Sequence, residues 1–254
     1  NRLNKQTMFS LLIPVYNEEG LIDELVSRSV KALETFTSNY EILFINDGST
    51  DSSLEKLLAA RKKYHRIKII DLSRNFGHQA AYTAGLEMAL GNYVAMMDGD
   101  LQDPPEHLPE MYQKMKDENL DIISGLRQGR KGKRLRLITN LFHALFKKVS
   151  EVDGIENSGN FSIMNRAAVN AMLKMKESIR YLPGLRSFIG FKNGYFKYVR
   201  EDRQKGEPKM TLSKLMVLGA DAIFSFSKFP IKVCLFLGTF GTIIFMLAGI
   251  YAVV

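Results

Sequence analysis

The chain has 254 residues, a net charge of +8, 46% apolar residues and a single cysteine, Cys234. That length holds one α/β core with a surplus, and one unpartnered cysteine excludes a disulfide framework and fits a reducing compartment. The 22 positions from Val233 to Val254 carry no charge, which argues against a chain that lives wholly in water.

In chain order, apolar runs bounded by turn residues predict strands over Phe9–Ile13, Glu41–Ile45, Ile67–Leu72, Tyr93–Met97 and Asp121–Ile123. Helical stretches fall between the first four, over Glu19–Phe36, Ser52–Tyr64 and His78–Leu90, with Asp51 and Asn75 placed to cap helix starts. Strand alternating with helix at this spacing predicts right-handed crossovers, a doubly wound and mostly parallel α/β sheet, and ligands beyond the C-terminal strand ends. Neither G-x-G-x-x-G nor G-x-x-x-x-G-K-[ST] occurs, which sets aside dinucleotide oxidoreductases and phosphate-loop NTPases.

Between Arg127 and Lys148 lie eight Lys or Arg and no Asp or Glu. Leu135, Leu137, Ile138, Leu141, Phe142, Leu145 and Phe146 recur within this run mostly at spacings of three and four. A basic helix with an apolar stripe suits an anionic lipid surface. Nucleic acid is the other anionic partner, but an apolar tail in the same chain favours lipid, and no nucleic acid is expected. A strand near Asn160–Met164, a helix over Arg166–Met175 and a strand near Tyr195–Arg200 follow the polar stretch Glu151–Ser158. A further helix, Thr211–Phe226, is expected to lie flat at the membrane interface. The uncharged tail predicts a transmembrane helix with Lys228 and Lys232 at its entry, as the positive-inside tendency requires of a cytoplasmic flank. The boundaries expected are a cytoplasmic catalytic domain over 1–208, a juxtamembrane helix over 209–230 and a membrane helix over 231–254 in a membrane region that continues past the chain.

Chemistry concentrates at predicted strand ends. After the fourth strand comes Asp98-Gly99-Asp100-Leu101-Gln102-Asp103-Pro104-Pro105. Asp98 and Asp100 can face one hard cation, Mg²⁺ or Mn²⁺, with Gly99 letting the backbone turn between them and Gln102 adding a neutral oxygen. After the first strand, Pro14 stiffens the exit, Tyr16 offers a face to a base, and the helix start beyond Asn17 and Glu18 can receive an anion. After the second strand, Asp47 of Asn46-Asp47-Gly48 can accept from a nucleobase N–H, or the segment is a plain turn. His65, His78, His107 and His143 stand singly without metal-ligand spacing and read as structural or solvated.

The segments IPVYNEE, NDGSTD, SRNFGHQAAYTAG and DGDLQDPPE together resemble the family 2 glycosyltransferases, in the polyprenyl-phosphate branch that includes dolichyl-phosphate mannose synthase and bactoprenol glucosyltransferases. The resemblance runs from Phe9 into the tail. It implies a glycosyltransferase A-type fold, an inverting transfer from a nucleotide diphosphate-sugar to a polyprenyl phosphate, and an active site on the cytoplasmic face of a membrane. It implies nucleobase contact at Asp47, donor contacts along Pro14, Tyr16, Asn17, Glu18 and Asp98, and metal binding through Asp98, Asp100 and Gln102. Acceptor and diphosphate contacts are implied at Arg127, at Lys133 or Arg134, and at Arg203. Membrane relatives of this kind often assemble, so a homo-oligomer fits. Many relatives carry Gly-Asp-Phe where this chain has Gly159-Asn160-Phe161. Asn160 is no general base, but a phosphate monoester, with a second pKa of about 6, needs none, so Asn160 suits an acceptor-positioning role. A processive polysaccharide synthase would show Q-x-x-R-W, and the chain has no Trp. A non-catalytic sugar-nucleotide module would have lost its carboxylates, and Asp47, Asp98 and Asp100 are present.

Overall fold

In the computed structural model, residues 9–128, 158–175, 182–199 and 229–253 are described. All seven residues of β1 (Phe9–Val15) and all seven of β2 (Tyr40–Asn46) are buried. Such mostly apolar strands, in which the buried Ser10 hydroxyl donates to the buried Glu41 carboxylate at 2.6 Å, are what a parallel sheet covered on both faces demands. β2 pairs in parallel with β1 and with β3 (Ile67–Asp71), and β1 pairs in parallel with β4 (Tyr93–Met96). Helix α1 (Ile22–Glu34) buries Ile22, Leu25, Val26, Ser29, Val30 and Leu33, one stripe at helical spacing. Helices α2 (Ser53–Lys63) and α3 (His78–Met88) complete the crossovers.

A 3-10 turn at Pro105–His107 leads into α4 (Leu108–Asp117), whose Leu108, Met111 and Met115 face the core. Sequence periodicity does not predict α4, because the apolar spacing is sparse and two prolines precede it. β5 (Ile122–Gln128) and β6 (Ser158–Asn165) follow, then α5 (Arg166–Lys174), the unpredicted short helix α6 (Leu182–Phe188) and β7 (Asn193–Val199). The sheet order is β3-β2-β1-β4-β6-β5-β7. β6 is antiparallel to both β4 and β5, while β7 runs parallel to β5. The doubly wound expectation therefore holds for the first four strands, and the sheet as a whole is mixed.

Of the two predicted caps, Asn75 is corrected, while the Asp51 side chain does meet the first N–H of α2. Asn75 does not open α3: Gly77, at φ 94°, is the entry residue, a conformation that a residue with a Cβ resists. Ser52 rather than Asp51 precedes α2, and the Asp51 carboxylate accepts from Ser53 N–H at 3.0 Å and Glu19 N–H at 3.1 Å. Asp51 thus ties the start of α2 to the turn before α1.

The chain divides into two compact units, residues 1–131 with 154–207, and residues 132–153 with 208–254. The first holds the sheet. In the second, the described element is α7 (Phe229–Val253), 25 residues long, or about 37 Å at 1.5 Å per residue. A hydrocarbon core is about 30 Å thick, and the side chains of α7 from Cys234 to Tyr251 are exposed. The predicted basic helix over 135–148 and interfacial helix over 211–226 lie outside the described residues.

Candidate active site

The site forms where β1, β2 and β4 end side by side. β4 carries the chain into Asp98, and the antiparallel register Met96↔Ser162, continued two residues, sets Asp98 opposite Asn160 of β6. α3 crosses the same point with His78 and Tyr82, four apart and so on one helix face. Asp98 Oδ1 consequently accepts from Tyr82 OH at 2.9 Å and Asn160 Nδ2 at 3.3 Å and pairs with His78 Nε2 at 2.8 Å. Arg127 Nη2 of β5 lies 3.8 Å from Asp98 Oδ2.

Burial by itself would raise the Asp98 pKa. The His78 hydrogen bond and charge, with Arg127 and Tyr82, outweigh it and hold the carboxyl well below the usual carboxylate range. Asp98 is therefore an anion at any physiological pH. Burial of His78 disfavours its charged form, yet the Asp98 hydrogen bond and the charges of Asp98, Asp100 and Asp47 raise its pKa. Burial and the Asp98 charge push Tyr82 well above a free phenol, so it stays a donor. The sequence reading of His78 as structural or solvated is incomplete: its side chain is 42% exposed, and it is also a direct partner of the central carboxylate. Local spacing carries no signal of this contact, because Asp98 lies 20 residues away and meets His78 only through packing.

The turn between the acidic residues is also not as expected. Gly99 does not take a left-handed conformation; Leu101 does, at φ 56°, while fully buried. An unfavourable backbone at a buried non-glycine residue persists only where the surroundings hold it. Gly99 is needed for space instead, since a Cβ there would stand 2.7 Å from the Pro14 carbonyl oxygen. Asp100 Oδ1 accepts from Gln102 N–H at 3.2 Å, and both residues are half-buried.

Asp103, fully buried, accepts from Arg127 Nη2 at 3.1 Å and from Tyr198 OH, and Arg127 Nε donates to Tyr198 OH at 3.2 Å. The β5–β7 register places Arg127 directly beside Tyr198. Although burial disfavours its charge, Asp103 and Tyr198 keep the Arg127 guanidinium firmly protonated.

Along β1 and β2 the picture changes. Asp47, buried, accepts from Phe76 N–H at 2.8 Å and Gly77 N–H at 3.0 Å, so both its oxygens hold the loop that enters α3. Tyr16 is 37% exposed at the same rim, and Pro14 remains inside β1. Asn17, at φ 53°, gives its N–H to Ser49 Oγ and accepts Thr50 N–H, while Glu18 N–H goes to Ser53 Oγ. The expected anion-receiving helix start is therefore corrected: these amides already have partners, α1 begins later at Ile22, and Asp23 and Glu24 fill its first turn with charge that repels anions. Lys133, Arg134 and Arg203 lie outside the described residues.

Among the described residues no group of three His, Cys, Asp or Glu side chains could hold a metal alone. The donor set still fits Mg²⁺ or Mn²⁺, which bind hard oxygen and commonly take one or two carboxylates plus substrate phosphates. Asp98 and Asp100 flank Gly99, Gln102 adds an amide, and Asp47, Asp98, Asp100 and Asp103 outweigh the positive charge that Arg127 brings to them.

An acidic loop at the end of a central strand, in a sheet with this order of parallel and antiparallel neighbours, belongs to the glycosyltransferases of the A-type fold. The solved structures agree. The chain resembles a mannosyltransferase of Pyrobaculum calidifontis in complex with GDP-Man and Mn²⁺ at a TM-score of 0.56 and 16% identity, over 77% of this chain and 56% of that one. It resembles TarS (residues 1–349) of S. aureus at 0.54 and 18%, over 74% of this chain and 58% of that one. The chain thus spans little more than half the length of these two structures. The model of glycosyl transferase family 2 matches residues 10–179, and the chain belongs to that family and is a transferase. Among curated relatives it is 39% identical to the uncharacterized glycosyltransferase YkcC of Bacillus subtilis, over 93% of this chain and 73% of that protein. It is 34% identical to a prophage bactoprenol glucosyl transferase homolog of Escherichia coli, over 90% and 75% respectively.

Proposed function

We propose that this enzyme moves a sugar from a nucleotide diphosphate-sugar to the phosphate of a polyprenyl phosphate, at the cytoplasmic face of a membrane that α7 spans. The observation that carries this reading is the residue facing Asp98 from β6: Asn160, an amide whose Nδ2 donates to Asp98. A hydroxyl acceptor needs a base to remove its proton, whereas a phosphate monoester is already mostly a dianion at neutral pH. Relatives named bactoprenol glucosyl transferase support the same acceptor class.

The chain's own residues divide the work. Tyr16 and the rim around Asp47 receive the nucleobase, with Asp47 acting by holding the Phe76–Gly77 loop. Pro14, Asn17 and Glu18 shape the wall between them. Arg127 meets the phosphate of the acceptor with a planar guanidinium, a geometry suited to two oxygens at once. Asn160 positions the acceptor beside Asp98, and its Oδ1, buried without a partner among the described residues, is available to a donor group of the bound substrate. Asp98, Asp100 and Gln102 would hold a divalent cation, Mg²⁺ or Mn²⁺, which when bound stabilises negative charge on the leaving diphosphate. Lys133, Arg134 and Arg203 add positive charge for phosphate, and a homo-oligomer would gather such sites on one membrane patch.

The test is transfer of labelled sugar from a panel of UDP- and GDP-sugars to a short polyprenyl phosphate, with Mg²⁺ or Mn²⁺ supplied. Sugar should move to the lipid phosphate, and Asp100→Ala should abolish it. Transfer only to a hydroxyl acceptor, or full turnover by Asp100→Ala, would sink the proposal.

A further inference from the structure

We infer that Asp103 and Tyr198 are positioning residues that set the guanidinium of Arg127 before substrate arrives; the inference rests on the acceptor reading above and assigns two residues that the sequence motifs left without a role. An arginine on a β-strand can sweep several ångströms about its side-chain torsions, and holding it costs rotamer entropy at the moment of binding. Here that freedom is already removed. Nε and Nη2, the two donors along one edge of the fork, go to Tyr198 OH at 3.2 Å and Asp103 Oδ2 at 3.1 Å. Tyr198 OH in turn donates to the other Asp103 oxygen, which closes a three-membered ring of hydrogen bonds. The opposite edge, which carries Nη1, makes no hydrogen bond among the described residues.

The ring is buried and locked from behind. Asp103 is fully buried and Tyr198 is 3% exposed. Phe161 packs edge-on against the Tyr198 ring at 5.4 Å, and a Cβ on Gly125 would strike both rings at 2.8 Å. Gly159 lies flat against the guanidinium, where a Cβ would stand 2.6 Å from Nη2 and 2.9 Å from Cζ. Removing the charge of Asp103 would leave the cation drawn to Asp98 alone, 3.8 Å from Nη2, and would swing it out of register with the acceptor.

Tyr198→Phe removes one hydrogen bond and keeps the ring. It should raise the acceptor KM about tenfold, the effect of one such bond to a charged group, with the donor KM within about twofold. Gly159→Ala displaces the guanidinium while sparing both partners, and should do the same. It keeps the test alive if Asp103→Asn does not fold. The readout that a merely structural role would not move is a double-mutant cycle: in an Arg127→Ala background, Tyr198→Phe and Gly159→Ala should add nothing to the acceptor KM. An additive loss there would overturn the inference. A slowly exchanging arginine Nε–H resonance that vanishes in Arg127→Lys reports the clamp without any substrate, and it should be lost in Tyr198→Phe. Its persistence in that variant would also overturn the inference. Loss of the resonance in Tyr198→Phe, alongside a wild-type enzyme that transfers no sugar to lipid phosphate, would instead sink the acceptor reading while upholding the clamp.

Discussion

Gly99→Ala tests how tightly the acidic loop is seated on β1. The new methyl would stand 2.7 Å from the Pro14 carbonyl oxygen, while Ile13 and Val15 side chains at 3.6 Å remain in ordinary contact. A carbon–oxygen approach is comfortable from about 3.3 Å, so the loop must retreat by roughly 0.6 Å. Pro14 cannot yield instead, because β1 is buried along its length and held between β2 and β4. The retreat stretches the contacts of Asp98 with His78 at 2.8 Å and Tyr82 at 2.9 Å. Misplacement of a reacting group by 1 Å costs about 100-fold in rate, so kcat should fall roughly 10- to 100-fold at saturating donor and acceptor. Overpacking of this kind costs about 1–3 kcal/mol, which for a domain of this size lowers Tm by roughly 2–12 °C. Initial rates of sugar transfer and a thermal melt of the same preparation measure both. A variant with kcat within about twofold of wild type would refute the reasoning, since it would mean that the loop tolerates the displacement.

Two further outcomes concern the stability of the fold. Arg186, 2% exposed, donates to the Gly159 and Asn160 carbonyls and to Ser162 Oγ, so Arg186→Met removes three charge-assisted hydrogen bonds, although Ser162 Oγ still donates to the Asn160 carbonyl at 2.9 Å. At about 1.5–3 kcal/mol for each hydrogen bond to a charged group, a melt should show Tm lowered by roughly 6 °C or more. Arg28 grips Glu106 with Nε and Nη2, each at 2.8 Å, and although burial would raise the Glu106 pKa, these bonds lower it from 4.5. Its folded pKa is thus below the unfolded value, so the pair's contribution is present above about 4.5 and is lost as pH falls through the folded pKa. Glu106→Gln should flatten the acid side of a Tm–pH profile while costing under about 1 kcal/mol at neutral pH, because the pair is half exposed.

What is legible in the sequence is local or periodic. β1 and β2 are mostly apolar runs, interrupted only by Ser10, Glu41 and Asn46, because both faces are covered, and such runs announce themselves without knowledge of their neighbours. The acidic loop and the uncharged tail are equally plain, since each is a contiguous pattern. Boundaries slip where the deciding contact is distant. β5 extends to Gln128 because β7 pairs along its whole length, and α4 gives no clear periodic signal because its buried face is only three residues wide. What only the tertiary structure decides is which side chains share the site. His78 meets Asp98 because Gly77 bends α3 across the end of β4, and Tyr198 meets Arg127 and Asp103 because β7 aligns with β5. Those pairs are 20, 71 and 95 residues apart, and hydrogen bonds between such partners follow from strand register and helix placement, which no run of neighbouring residues encodes.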